Sequence, residues 1–436
     1  MQYSGSDHLK HLYIRFQFLN QIPNAMKSYK YIIIGGGTTA GYAAKAFVEQ
    51  NIKKGELFII SAESELPMNR PPFSKEYLRD KDQDDEILIN KKDFYAQNGI
   101  EVMLDTAADK LKCGLKQIVL SNGEILEYEK LLIATGSKLK MLDIEGSCLR
   151  NILYLKDQKQ SDTIRENASK AEHVVVIGGG YIGTETAAVL NQSGLKVTMI
   201  VPEDKILARF ATADIADFFQ NEFSKKGVKI VLNESVKAFH GKDKVEEVEL
   251  TTGEKLKTDM VVAGIGVEPN VDIFEGTPLY SIEGIAVNEY CEANIKDVYA
   301  AGDVVEFPDL IFDKRKVVEH WEHAFEQGKH AAKVMTGNRE PYVFLPFFFS
   351  DVFDYSYEYF GDNENANDVR YRGNLKSGDF STWWLNNNRL VAAFVMSTRP
   401  EEEGKLAREW ISNKTEIDKK KIQDENVSMK DLVLNT

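Results

Sequence analysis

Tyr31-Ile32-Ile33-Ile34-Gly35-Gly36-Gly37-Thr38-Thr39-Ala40 decides how the rest of the chain is read. A tyrosine and a run of isoleucines end abruptly in glycines, and an alanine-rich amphipathic stretch, 41–50, follows. A short, continuously apolar run bounded by a glycine turn predicts a buried parallel strand, and the pattern after it predicts a helix. Gly35, Gly37 and Ala40 fit the Gly-x-Gly-x-x-Gly/Ala spacing of a dinucleotide site. Gly35 permits the tight turn, Gly37 lets the backbone approach a pyrophosphate, and Ala40 lets the helix pack close to the strand. The helix N-terminus offers free N–H groups and the positive end of a dipole to phosphate. Taken alone, the stretch favours a dinucleotide site over a plain glycine turn of an α/β protein, and the rest of the chain strengthens that reading.

The pattern then returns. His173-Val174-Val175-Val176-Ile177 leads into Gly178-Gly179-Gly180-Tyr181-Ile182-Gly183. A helix over 184–191 and the strand Lys196-Val197-Thr198-Met199-Ile200-Val201 follow, and Glu203 stands just past that strand. Two strand–glycine–helix units, each followed by a strand and an acid, predict two dinucleotide-binding domains.

The segments between them carry further signals. Leu57-Phe58-Ile59-Ile60-Ser61 reads as a second strand, with Glu63 beyond its end where an acid can bind a ribose or simply be a solvated loop residue. In Arg70-Pro71-Pro72-Phe73-Ser74-Lys75-Glu76 the prolines stiffen the backbone between two cations, and Ser74 is expected to cap the helix that follows. Lys130-Leu131-Leu132-Ile133-Ala134-Thr135-Gly136 is another buried strand, and 156–170 reads as a charged helical linker. Asp259-Met260-Val261-Val262-Ala263-Gly264-Ile265-Gly266 closes the second unit, and Asp297-Val298-Tyr299-Ala300-Ala301-Gly302-Asp303 reads as a return to the first. From Pro341 onward no glycine fingerprint occurs. Phe353, Tyr355, Tyr357 and Tyr359 are predicted to share one strand face, as core or as an aromatic binding wall, and the tail 401–436 reads as charged and helical.

Composition narrows the function classes. With 436 residues, two or three domains are expected, and 43% hydrophobic residues suffice for a sizeable core. A net charge of −14 excludes a general nucleic-acid or anionic-membrane surface. No apolar run approaches the roughly 20 residues needed to span a bilayer. Three cysteines, Cys113, Cys148 and Cys291, lie far apart and form no Cys-x-x-Cys, which fits free thiols in a reducing, cytoplasmic compartment. No metal-ligand spacing is visible. Residues 1–28 carry Asp7 against Lys10, Arg15 and Lys27. They are expected to be an N-terminal extension preceding an alternative start, or a mitochondrial transit peptide, or ordered packing.

From about Tyr29 to its end the chain resembles two-dinucleotide-domain flavoproteins: plant-type monodehydroascorbate reductases, apoptosis-inducing factor, and bacterial ferredoxin and rubredoxin reductases. The resembling stretches are 31–44, 70–78, 131–136, 174–185, 300–304, 318–324 and 345–362. The resemblance implies two Rossmann-like domains in the glutathione-reductase-like arrangement plus a C-terminal α+β domain. Its implied boundaries are 29–152 with 258–338 for FAD, 153–257 for NAD(P)H, and 339–436 for the third domain.

It also implies residue roles. Gly35, Gly36, Gly37, Thr38 and Ala40 would hold FAD pyrophosphate, Glu63 its ribose, Arg70 a phosphate and Asp303 the ribityl chain. Lys75, Glu319 and His320 would lie at the flavin, with Ala108, Thr135 and Gly136 completing the FAD set. Gly178, Gly179, Gly180, Tyr181, Ile182, Gly183, Glu185 and Gly266 would bind NAD(P)H. Glu203 would take the adenosine ribose hydroxyls and so favour NADH, a preference that Arg209 tempers. Lys75, Glu185 and His320 are the expected catalytic residues, with Lys75 and Glu185 paired so that the lysine stays placed and charged.

Two departures from the resemblance bear on the electron acceptor. Plant monodehydroascorbate reductases carry an arginine after the His-Ala of this histidine motif and a tyrosine in the aromatic triplet, both as ascorbate contacts. The aligned residues here are Phe325 and Phe349. The expected function is therefore an FAD-dependent NADH oxidoreductase whose acceptor is a redox protein, a quinone or an organic radical. The alternative is an NADH-sensing flavoprotein with slow turnover, like apoptosis-inducing factor, that acts through homodimerisation and protein contacts.

Overall fold

A computed structural model describes residues 26–80 and 87–434. The reading of 1–28 as an extension therefore lies outside the described residues, save that Lys27 and Ser28 already belong to the first strand.

That strand, Lys27–Ile34, is the centre of a seven-stranded sheet. Its isoleucines are almost fully buried because parallel neighbours flank them on both sides. Leu57–Ile60 pairs on one edge, Ile34 opposite Ile60, and Ile125–Ile133 on the other, Ile34 opposite Ile133. The chain leaves this sheet and returns to it much later: Val298–Ala300 adds parallel to Ile125–Ile133, with Ala300 opposite Ile133. The helix of the first fingerprint, Thr38–Glu49, packs against the long helix Trp321–Met335. The approach is so close that a Cβ at Gly328 would lie 2.5 Å from the carbonyl oxygen of Thr39.

A second sheet repeats the plan. Its strands run Lys229–Leu232, Lys196–Val201, His173–Ile177, Met260–Ala263 and Ile152–Tyr154, all parallel. The helix Tyr181–Gln192 follows its glycine turn, starting three residues before the predicted 184–191. Met260–Ala263 and Ile152–Tyr154 both belong here. The second unit thus extends slightly beyond the expected limits of 153 and 257 at each end.

The third unit is a five-stranded antiparallel sheet in the order Phe347–Val352, Tyr355–Gly361, Arg389–Met396, Asp379–Asn386, Asp368–Asn374. The helix Glu401–Ser412 covers it. Tyr357 and Tyr359 are core residues, packed on Phe210, Phe348, Phe394 and Trp384. Phe353 is not on that strand; its φ of +56° places it in the hairpin turn. The tail is α-helical only as far as Ser412, with one further 3-10 turn at Met429–Leu432, and Arg372 donates to the carbonyls of Ile422, Asp424 and Val427 to hold the segment between them.

Candidate active site

The parallel strands of both sheets point their C-terminal ends at one cavity of about 570 Å³, where ligands bind in open α/β sheets. Its floor is the two glycine turns. Gly35 has φ +130°, and a Cβ there would lie 2.0 Å from the Ala134 carbonyl oxygen. Gly178 repeats the geometry with φ +109° and the Gly264 carbonyl oxygen at 2.3 Å. Both glycines make their turns; Gly178 also lines the cavity, whereas Gly35 does not. Ala40, fully buried, and Gly183, whose Cβ would meet the Gly178 carbonyl at 2.2 Å, are packing positions. Gly36, Gly37 and Thr38 line the cavity at the first turn, and Gly178, Gly179, Gly180, Tyr181 and Ile182 at the second. A Cβ on Gly180 would meet nothing within 4 Å, so this backbone faces open space.

Arg70 spans the mouth of the first turn. Its Nη2 lies 2.6 Å from Glu63 Oε1, its Nη1 donates to the Lys156 carbonyl at 2.9 Å, and Nη2 stands 3.2 Å from where a Gly37 Cβ would be. Glycine backbone, a helix N-terminus and an arginine suit a pyrophosphate, and the neighbouring carboxylate suits a ribose. Asp303 lines the same cavity and accepts from Ser137 Oγ at 2.9 Å; burial raises its carboxyl above the usual range. Gly302 before it has φ +84° and donates its N–H to Gln327 Oε1 at 2.8 Å. The residues present therefore fit FAD at the first turn and a nicotinamide dinucleotide at the second.

Thr135 and Gly136 also line the cavity, although Thr135 Oγ1 is already spent on the Asn270 carbonyl. Gly266, Glu203 and Arg209 line the opposite end. Arg209 is largely exposed and leans toward Glu319, with Nη1 3.9 Å from its Oε2. Ala108, like Gly35, Ala40 and Gly183, does not reach the cavity. It pairs with Leu120 in a strand and packs in the core of the first domain.

The two halves meet at Lys75 and Glu185. Lys75 Nζ lies 3.6 Å from Glu185 Oε1, the pairing that the family resemblance implied. It lies nearer, at 2.6 Å, to Asp351 Oδ2, and 4.2 Å above the Phe349 ring. Glu185 accepts from Ser74 Oγ at 2.5 Å and from Ser350 Oγ at 2.6 Å. Burial raises the Glu185 carboxyl, against the opposing pull of Lys75 and the two serines. Ser74 thus serves this carboxylate; the N-cap of the short helix Glu76–Arg79 is Lys75.

Glu319 and His320 close the site at the start of the helix Trp321–Met335. Burial, with Arg209 and Lys316 nearby, holds the His320 imidazolium down to about 4, so the ring is neutral at pH 7. Tyr181 stacks on Phe210 and touches Phe348, which also packs on His320. Sequence reading missed Ser74, Ser350 and Asp351 as site residues. The signal for Ser350 and Asp351 was a Ser-Asp pair inside the otherwise apolar strand Phe347–Val352.

None of the cysteines lines the cavity, and burial raises the thiols of Cys113 and Cys291. Among the described residues no cluster of His, Cys, Asp or Glu could hold a metal ion, and no helix is long and apolar enough to cross a membrane.

Comparison with known proteins agrees with this geometry. Residues 29–328 match the model of the pyridine nucleotide-disulphide oxidoreductase family, and 345–430 match the monodehydroascorbate reductase 3-like C-terminal domain. The chain is 34% identical over 408 residues to a monodehydroascorbate reductase of Solanum lycopersicum, covering 88% of this chain and 94% of that protein. It is 36% identical over 410 residues to the peroxisomal monodehydroascorbate reductase 1 of Arabidopsis thaliana, covering 88% and 94%. Its fold superposes on a ferredoxin reductase from Rhodopseudomonas palustris with a TM-score of 0.88 at 27% identity, covering 92% and 98% of the two chains. A putidaredoxin reductase in covalent complex with putidaredoxin gives 0.88 at 26% identity, covering 94% and 98%. With two dinucleotide turns facing one cavity and no cysteine in it, this chain belongs to the pyridine nucleotide-disulphide oxidoreductase family as an FAD-dependent NAD(P)H oxidoreductase.

Proposed function

We propose that the chain oxidises NADH and delivers the electrons to a planar, apolar acceptor of the quinone class. Bound FAD supplies the chemistry that links a two-electron donor to such an acceptor. The chain's own residues supply placement. The turn at Gly179 and Gly180 receives the nicotinamide dinucleotide's phosphates, and Glu203 favours a free ribose over a 2′-phosphate. Arg209, drawn toward Glu319, is turned to a carboxylate rather than held for a phosphate, which supports NADH over NADPH. Lys75, fixed in a pocket of low exposure, presents a positive charge where negative charge develops. Neutral His320 and the rings of Tyr181 and Phe348 exclude water.

The observation that carries the acceptor assignment is the composition of the rim. Phe349 and Trp321 line the cavity, Phe325 packs on Trp321 and Tyr42, and Phe349 is 39% exposed. The cations nearby are already paired: Lys75 with Asp351, Lys329 with Glu326, and Arg408 with Glu322. Such a rim attracts a neutral ring more than an organic anion, and a net charge of −14 disfavours an acidic redox protein. The relatives named monodehydroascorbate reductases set the competing acceptor. Steady-state kcat/KM with NADH should be higher for a water-soluble benzoquinone or naphthoquinone than for monodehydroascorbate. A higher value for monodehydroascorbate overturns the assignment.

A further inference from the structure

Three chain segments from three domains converge on one ammonium. Lys75 comes from the turn after the first fingerprint, Glu185 from the second fingerprint helix, and Phe349, Ser350 and Asp351 from the first strand of the C-terminal sheet. Side chains alternate along a strand. Phe349 and Asp351 therefore share a face and both reach Lys75, at 4.2 Å and 2.6 Å, while Ser350 on the other face reaches Glu185. Strand register fixes this arrangement. Asp351 stands opposite Ser356, whose Oγ donates to Asp351 Oδ1 at 2.5 Å, and Ser350 stands opposite Tyr357. Asp351 is thus held through one oxygen by its neighbouring strand and presents the other to Lys75.

We infer that Asp351 is a positioning residue for the NADH-dependent step. Its carboxylate fixes the Lys75 ammonium over Phe349, and so makes the reductive site depend on the docked C-terminal domain. The inference rests on the reading above that Lys75 acts at the bound flavin. Glu185 holds the ammonium less closely than Asp351, at 3.6 Å against 2.6 Å, and each of its oxygens already accepts from a serine. Asp351's side chain is 42% exposed, so solvent screens any direct effect of its charge on the flavin, and its influence passes through Lys75.

The test is a double-mutant cycle on the FAD-loaded protein, reading two quantities: the stopped-flow rate of flavin reduction by NADH, and the flavin midpoint potential by spectroelectrochemistry. Asp351→Asn should slow reduction roughly tenfold or more, the scale of a misplaced catalytic group, and shift the potential. Both effects should vanish in a Lys75→Met background. Ser356→Ala, which keeps the charge but frees the carboxylate, should reproduce part of the Asp351→Asn effect, and Asp351→Glu should restore part of the rate. Equal effects of Asp351→Asn with and without Lys75 overturn the inference. So does a normal rate and potential in Asp351→Asn when Lys75→Met is slow. If Lys75→Met itself is normal, the reading of Lys75 fails first and takes the inference with it.

Discussion

Ser74 Oγ donates to Glu185 Oε2 at 2.5 Å, joining residues 111 positions apart in the chain. The bond ties the Arg-Pro-Pro turn of the first dinucleotide domain to the fingerprint helix of the second. Tyr77 extends the same seam, with its hydroxyl 3.1 Å from Asp162 Oδ1 and 2.8 Å from Gln158 Nε2. The family's two cofactor sites face each other because such contacts hold the two sheets end to end.

Ser74→Ala should destabilise the apo protein by about 1–3 kcal/mol, the range for losing a hydrogen bond to a buried carboxyl group. Denaturant unfolding monitored by tryptophan fluorescence reads the loss. Ser74→Thr, which keeps the hydroxyl, should recover most of it. An unchanged midpoint in Ser74→Ala means the bond does not hold the seam.

The glycines of the second turn separate by what their missing Cβ would meet. Gly180→Ala places a methyl in open cavity at an ordinary φ of −80°. It should fold and hold FAD normally while raising KM for NADH roughly tenfold, a cost near 1.4 kcal/mol. Gly178→Ala, at φ +109° and 2.3 Å from a carbonyl oxygen, should instead fail to accumulate as folded protein. Flavin content and KM, measured on both variants, separate the roles of the two glycines.

Much of this was legible from local pattern. The strands His173–Ile177 and Lys196–Val201 match their sequence reading residue for residue, because parallel buried strands are continuously apolar and glycines punctuate them. What escaped was long-range. Nothing near Asp351 in sequence says that Lys75 waits for it; only the register of the strand pair Phe347–Val352 and Tyr355–Gly361 does. Phe353 was misplaced for a related reason. Alternation continued through the hairpin turn, and only the positive φ shows that the strand had ended. The 401–436 tail misled because charge density mimics a helix, whereas Arg372 ties an irregular loop by its carbonyls.

The buried His323 gives the fold an acid-sensitive point. Its ring stacks 4.7 Å from Phe307, its Nδ1 lies 3.2 Å from the Tyr342 hydroxyl, and burial pushes its imidazolium down to about 3. The unfolded chain takes up this proton near pH 6.5 and the folded chain does not. Stability from this group is therefore full above pH 6.5 and is lost as pH falls toward 3, at up to about 1.4 kcal/mol per pH unit. His320, with its imidazolium held down to about 4, adds the same sign. In His323→Phe the unfolding free energy should fall less steeply below pH 6.5 than in the parent, while the two curves run parallel above it. Urea titrations from pH 5 to 8 check this; equal slopes below pH 6.5 mean that His323 is protonated in the folded state.

The rim offers the sharpest test of acceptor choice. Phe325 packs 4.3 Å from Tyr42 and 5.5 Å from Trp321, with the Lys329 ammonium 4.4 Å over its ring. Phe349 stands edge-on to Trp321 at 6.5 Å. Replacing both with the residues that plant monodehydroascorbate reductases carry there, Phe325→Arg and Phe349→Tyr, installs a cation and a hydroxyl on a rim whose other cations are paired. A hydrogen bond to a charged group contributes about 1.5–3 kcal/mol, so kcat/KM for monodehydroascorbate should rise roughly tenfold to a hundredfold. For a neutral quinone it should fall, because the added cation must be desolvated against it. Flavin reduction by NADH should stay unchanged, since neither substitution removes Lys75, Asp351 or Glu185. The Phe349→Tyr hydroxyl keeps a ring beneath Lys75, so the ammonium retains its support. If the double variant gains nothing with monodehydroascorbate, these two phenylalanines do not set the acceptor, and discrimination lies deeper, at His320 or Tyr181.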